Sequence, residues 1–249
     1  MRGTRNRSCL ELLMLARILQ TLFYVAYPLV VYFGYQYLAV RQLGLVLLAL
    51  YGLSVLLNLP KLRGKTGALT ATIRQHLPLV ALIVLAVVLE NATLLLFLPM
   101  VVSAYLLTSF TLSLRHGPPM IERFARATEG DLPPFALDYC RRVTIVWCVF
   151  MTFNTLLIGV LTVAAPIEIW ALYTSGIFYV LLGLLIATEF CYRKWLFRSY
   201  GDGPIDRLFA LVLPAEATER GRRSLEYDRA RKLRAAQAEP SPPTNPTSA

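Results

Sequence analysis

The chain has 249 residues, of which 56% are apolar and 16% are charged. A soluble globular domain carries about 45–50% apolar residues, with glycine counted, and about 25% charged residues. The apolar excess also comes in long uncharged runs, which an ordinary hydrophobic core does not need. Together these features exclude a single water-soluble domain and indicate an all-α, polytopic membrane protein.

The uncharged runs predict how many helices cross the bilayer. A hydrocarbon core about 30 Å thick needs about 20 apolar residues in a helix. The run over 75–114 is too long for one span, so we place a tight hairpin at Glu90–Asn91; a second hairpin follows at Pro166–Glu168. The sequence therefore predicts six transmembrane helices, at 18–40, 42–60, 75–90, 92–114, 143–167 and 169–190.

The basic residues predict the orientation of these helices. With six spans, all of the 25 Lys and Arg residues except Arg41 fall on one side, which also holds both termini. Cytoplasmic segments carry such an excess, so this side is the cytoplasm. The predicted cytoplasmic parts are an interfacial N-terminal segment (1–17), a loop (115–142) and a basic tail (193–249). The tail becomes rich in Pro, Ser and Thr near residue 239 and is predicted to be disordered from there.

The formal net charge of +10 raises the question of an acidic partner. Nucleic acid is not expected, because no basic stripe with interleaved aromatic residues is present. The four cysteines and two histidines lack the close spacing of a zinc site, so the sequence predicts no metal and no cofactor. The lipid bilayer, with anionic head groups next to the basic segments, is the expected partner.

Five polar residues in or beside the spans are candidates for function, because polar groups inside a membrane are costly. Glu90 and Glu168 are predicted to be solvated hairpin tips rather than ion-handling groups. Glu189 is predicted to pair with Arg193 or Lys194 at a helix end. Buried Asn154 is predicted to bond to another helix. The full set is Glu90, Asn91, Asn154, Glu168 and Glu189.

The cytoplasmic loop is the richest segment in charged and special residues. Arginine can bind lipid phosphates there, although topological anchoring accounts for most of these arginines. A short helix is predicted near Met120–Ala127, with Ile121 and Phe124 on one face and Glu122 and Arg123 facing outward. The candidate loop residues are Arg115, His116, Pro118, Pro119, Glu122, Arg123, Arg141 and Arg142.

Two other features have alternative interpretations. The Arg115–Gly117 string is similar to the Arg-His-Gly motif of histidine phosphatases, but it follows an apolar helix rather than a strand and has few partner residues. A loop histidine is therefore the preferred interpretation. The tryptophans Trp147, Trp170 and Trp195 fit membrane-interface belts and helix packing.

The stretch Pro118–Thr152 resembles the intracellular septation protein A family of bacterial inner-membrane proteins, and the segment Tyr27–Phe33 is similar to the first helix of that family. Arg115–Phe124 also resembles uncharacterised membrane proteins encoded among aryl-polyene and related fatty-acid-like biosynthesis genes. The residues that carry the first likeness are Pro119, Ile121, Glu122, Arg123, Leu132, Pro133, Arg142, Trp147, Phe150, Asn154 and Trp170. The resemblance implies a role in envelope biogenesis and supplies no catalytic residue.

The sequence thus favours a non-catalytic accessory factor of the bacterial inner membrane that interacts with other envelope-biogenesis membrane proteins. One alternative is a small transporter or lipid-handling protein, which would need a carboxylate facing a cavity in the bundle. A second alternative is a membrane enzyme that acts on an acyl or phosphoryl group through His116 and Glu122.

The six-span topology predicts the outcome of reporter fusions. Reporters at Gly64, Thr128 and the C-terminus should report the cytoplasm, because these segments hold the basic residues. Reporters at Asn91 and Pro166 should report the opposite side. A C-terminal reporter found outside the cytoplasm would contradict the even number of spans.

Overall fold

The computed structural model describes residues 27–58, 68–129, 132–198, 200, 203–212 and 214–238. These residues form α-helices joined by short turns, and no strand occurs among them. The predicted N-terminal segment (1–17), the start of the first span (18–26) and the tail from 239 lie outside the described residues.

The helices follow one another with few connecting residues. The first described helix, α1, covers residues 27–37. The others are α2 (Val40–Asn58), α3 (Ala68–Val88), α4 (Thr93–Leu96), α5 (Leu98–His116), α6 (Met120–Glu129), α7 (Pro134–Ala164), α8 (Ile167–Leu172), α9 (Phe178–Phe197), α10 (Pro204–Val212) and α11 (Glu219–Ala238). Helices α4 and α5 continue into each other, and α8 joins α9 through a π-helical turn, Tyr173–Ile177.

Three of these helices are long and apolar enough to span a membrane: Thr93–His116, Pro134–Ala164 and Ile167–Phe197. In each, only 22–33% of the most apolar stretch is buried inside the protein, as expected where hydrocarbon covers the outer face. In α2 and α3, the apolar stretches whose side chains the structure describes are Val40–Leu50 and Leu77–Val88. Three of the six predicted spans therefore have a counterpart of sufficient length.

The hairpin predicted at Glu90–Asn91 is confirmed. The N–H of Asn91 donates to the carbonyl of Ala86 at 3.0 Å and that of Glu90 to Val87 at 3.4 Å, which is the pattern of a Schellman motif. Glu90 has a φ of 48°, in the left-handed region where glycine is usual. The side chain of Asn91 then accepts the N–H of Thr93 at 3.0 Å, which starts the next helix.

Two helices extend beyond the predicted spans. Helix α7 begins at Pro134, nine residues before the predicted span, and α9 continues past residue 190 to Phe197. Arg141 and Arg142, which bounded the predicted fifth span, are good helix formers at exposed positions, so the helix runs through them. Proline suits the first helical position because its missing N–H is not needed there. Much of the predicted loop 115–142 is therefore helical.

The described residues form two compact units, one from residues 27–121 and 144–181 and the other from 122–143 and 182–238. The core of the first unit gathers side chains from α1 to α5 and α8. It includes the fully buried Trp170, which agrees with the helix packing expected for the tryptophans. The other members of this core are Val31, Leu43, Leu47, Ile83, Ala86, Leu95, Leu96, Leu98 and Ala171.

The second unit centres on aromatic contacts between the start of α7 and the end of α9. The ring of Tyr139 meets those of Tyr192 and Phe197, with centroids 6.1 and 5.1 Å apart. Helix α10 is held to α9 by the ion pair of Lys194 with Asp206 at 2.7 Å and by a ring contact between Phe190 and Phe209. The second unit is therefore held together by contacts among its own residues.

Gly44 allows α2 to approach α3 closely. A Cβ at Gly44 would lie 2.2 Å from Cγ2 of Val87, whereas no described atom lies within 4 Å of a Cβ at Gly52, on the same helix. Valine has one preferred rotamer in a helix, so Val87 cannot turn away easily. Small residues at helix interfaces commonly permit such contact in membrane bundles.

We expect Gly44→Ala to be less stable than Gly52→Ala by about 1–3 kcal/mol, because only the first overpacks the interface. Both substitutions gain about 0.5–1 kcal/mol of helix propensity, so Gly52→Ala is the matched control. Unfolding of the detergent-solubilised protein measures both values. Equal stability of the two variants would show that the α2–α3 contact tolerates a methyl group.

Candidate functional site

The first unit contains a cavity of about 210 Å³ among α1, α2, α3, α5, α7 and the start of α9. Most of the lining side chains are aliphatic or aromatic. Representative apolar residues are Leu47, Leu79, Ile83, Val102, Leu106 and Phe178. A wall of this composition offers dispersion contacts to hydrocarbon and little to a hydrated solute.

Polar side chains meet at one wall of the cavity, where α5 faces α7. The amide Nδ2 of Asn154 donates to Oγ of Ser103 at 3.0 Å, and Oδ1 of Asn154 accepts the hydroxyl of Tyr173 at 2.9 Å. Asn154 is only 2% exposed. The predicted bond from Asn154 to another helix is therefore confirmed, and it links α7 both to α5 and to the π-helical turn. We call Ser103, Asn154 and Tyr173 the polar corner.

Two threonines beside the polar corner each lie within hydrogen-bond distance of a carbonyl one turn earlier in the chain. Thr155 Oγ1 lies 2.7 Å from the Met151 carbonyl and 2.8 Å from Ser103 Oγ, so its single proton serves one of these acceptors. Thr174, which lines the cavity, donates to the carbonyl of Trp170 at 2.8 Å. Such bonds satisfy buried hydroxyls without a partner helix.

The π-helical turn lies next to the polar corner and supplies one of its members. Tyr173 opens the turn, and Thr174 follows it; both side chains are buried. Single π-helical turns inside α-helices occur often at functional sites. The turn strengthens the assignment of this wall as the candidate site.

The hairpin residues lie away from this cavity. Glu90, Asn91 and Glu168 are exposed, as predicted for hairpin tips, and Glu168 occupies the first turn of α8. The described residues that line the cavity include no carboxylate. The carboxylate that the transporter or lipid-handling alternative required is therefore not found in the described lining of this cavity.

Glu189 belongs to the second unit. Its Oε1 accepts the hydroxyl of Tyr139 at 2.9 Å and lies 3.6 Å from Nε of Arg193. The predicted helix-end pair with Arg193 is confirmed, while Lys194 pairs with Asp206 instead. Tyr139 was not identified from the sequence, because the start of α7 was assigned to a loop.

The loop residues Arg115, His116 and Pro118 are exposed, whereas Pro119 is buried. Helix α6 starts directly after them. Its first N–H groups, of Met120 and Ile121, donate to Ser113 Oγ at 2.9 Å and Thr144 Oγ1 at 3.3 Å. Two of the amides that would attract a phosphate at this helix start are thus already occupied.

The prediction that Glu122 faces outward was wrong. Glu122 is 8% exposed, whereas Phe124 is 57% exposed. Glu122 can be buried because its Oε1 accepts Nε of Arg126, one turn later, at 2.8 Å. Arg123, Arg141 and Arg142 are exposed.

The residues of the enzyme alternative belong to different units. His116 is exposed in the first unit, and Glu122 is paired with Arg126 in the second. Within the described part of the chain, no group of three His, Cys, Asp or Glu residues is placed to hold a metal ion.

Ser103 and Tyr173 were missed at the sequence level. Both lie in predicted spans, where a lone hydroxyl looks like a tolerated packing residue. The signal that could have found them is the requirement that Asn154 find a hydrogen-bond partner on another helix.

Comparison with known proteins adds no assignment to this geometry: no family model, no curated protein and no solved structure matches the chain.

Proposed function

We propose that the protein is a non-catalytic membrane protein that binds the hydrocarbon part of a lipid-like molecule and serves envelope biogenesis as an accessory factor. The apolar cavity of the first unit carries this proposal. Lipid handling was part of the alternative hypothesis from the sequence; the apolar lining of the cavity, rather than the carboxylate expected there, supports it. The envelope role rests on the family resemblance of the loop and of α7.

The size and lining of the cavity support this proposal. An apolar cavity of about 150 Å³ can hold benzene. The 210 Å³ present here accommodates a larger apolar group, but not a whole lipid. The bound part is therefore a segment of an acyl or polyene chain, with the remainder outside the cavity.

The proposed placement is the bacterial inner membrane, with six spans and both termini in the cytoplasm. The asymmetry of basic residues supports it, as do the three long apolar helices. Exposed Arg115 and Arg142 are suited to anionic head groups. Other envelope-biogenesis membrane proteins are the proposed protein partners.

Photolabelling in lipid nanodiscs tests the proposal. The probe is a medium-chain alkane that carries a diazirine, and the readout is labelling of the α7 peptide around Met151 and Ile158, both of which line the cavity. We expect this labelling to saturate and to be displaced by unlabelled alkane. Labelling of the outer, lipid-facing side chains should not saturate.

Substitution by tryptophan supplies the matched pair of variants. Leu106→Trp should reduce the saturable labelling about tenfold, since it fills the cavity and removes about 1.4 kcal/mol of binding. Leu112, on the same helix, is outside the described lining and is 48% exposed, against 38% for Leu106, so Leu112→Trp should leave labelling unchanged. Labelling of the α7 peptide that does not saturate in the wild-type protein would refute the proposed function.

A further inference from the structure

We propose that the cavity selects a neutral chain that carries a carbonyl oxygen, as an acyl ester does, and that this oxygen accepts a hydrogen bond from Asn154. The inference rests on the proposed function, because it specifies the polar group of the same ligand. The geometry of the polar corner carries it.

The hydrogen-bonding capacity of Asn154 is not exhausted by the protein. An asparagine side chain has two N–H donors and one carbonyl acceptor. One N–H of Nδ2 bonds to Ser103 Oγ, and Oδ1 accepts the hydroxyl of Tyr173. Among the described residues, no acceptor is provided for the second N–H.

The surrounding hydroxyls do not provide this acceptor. Two hydroxyls lie near the Met151 carbonyl: that of Ser103 at 3.4 Å and that of Thr155 at 2.7 Å. Ser103 Oγ already receives the first N–H of Asn154. The polar corner therefore presents a spare donor at the cavity wall.

A spare donor in apolar surroundings favours a ligand that brings an acceptor. A buried N–H without a partner costs free energy, and an oxygen from the ligand removes that cost. A plain alkane cannot do so. The polar corner thus adds selectivity to a cavity that otherwise recognises hydrocarbon.

The acceptor must be neutral. The residues known to line the cavity include no Lys, Arg or His that could balance a carboxylate or a phosphate. An anion moved from water into an apolar site without a counter-charge pays a large desolvation penalty. A carbonyl oxygen of an ester meets both requirements.

The test compares two competitors of equal chain length, an alkane and a methyl ester, against the diazirine alkane in nanodiscs. Each competitor's concentration is corrected for its partitioning into protein-free nanodiscs. We expect the ester to compete about three- to tenfold better than the alkane, the usual range for one net hydrogen bond. The corresponding carboxylate should compete less well than the ester.

Two nearly isosteric variants locate the effect. Asn154→Leu should bring the ester down to the level of the alkane, and the readout is the ratio of the two competitors measured within that same variant. Thr174→Val should leave the preference unchanged, because the Thr174 hydroxyl is committed to the Trp170 carbonyl. Loss of the preference in Thr174→Val but not in Asn154→Leu would assign it to the wrong residue and overturn the inference.

The wild-type comparison decides the inference even if a variant fails to fold. Equal competition by ester and alkane overturns it and leaves the proposed function intact. Labelling that neither competitor displaces refutes the proposed function instead.

Discussion

The hydrogen bond from Asn154 to Ser103 is a buried polar contact between two long helices of the first unit. It joins α7 to α5, two of the three helices that are long enough to span a membrane. Helices in hydrocarbon gain little from burying leucine against leucine, because lipid offers the same surroundings. A polar pair between helices fixes their mutual position, and the cavity lies beside this pair.

The need to pair polar groups also explains how several helix ends are formed. Polar side chains close the turns locally: Asn91 at the start of α4, and Ser113 and Thr144 at the start of α6. Two carboxylates near the ends of helices pair within one turn, Glu122 with Arg126 and Glu189 with Arg193. Few polar groups are therefore left for the interior, and those that remain at the cavity wall stand out as functional candidates.

Much of the secondary structure could be predicted from the sequence. Uncharged runs and the breakers around Glu90 and Pro166 mark the turns, because a charge or a helix stop at these places is expensive inside a bilayer. The bounds of α7 could not be predicted in this way. Charged residues indicate where a segment meets water, but they do not by themselves end a helix. Arg141 and Arg142 lie within α7, which continues through them.

The candidate site was predictable only in part. Asn154 is conspicuous in an apolar run, but its partners Ser103 and Tyr173 depend on which faces of three helices meet. The burial of Glu122 could not be predicted for a related reason: residue type suggests a solvated face, whereas the ion pair with Arg126 accompanies burial of the carboxylate.

The π-helical turn has a consequence for the helix that contains it. Before the turn, Trp170 points into the core; after it, Phe178 and Tyr179 reach the cavity. The additional residue in the turn rotates the later side chains around the helix axis, so that one continuous helix packs against two differently placed surfaces. Deleting a single residue there would restore a regular α-helix, which could then match only one of these surfaces.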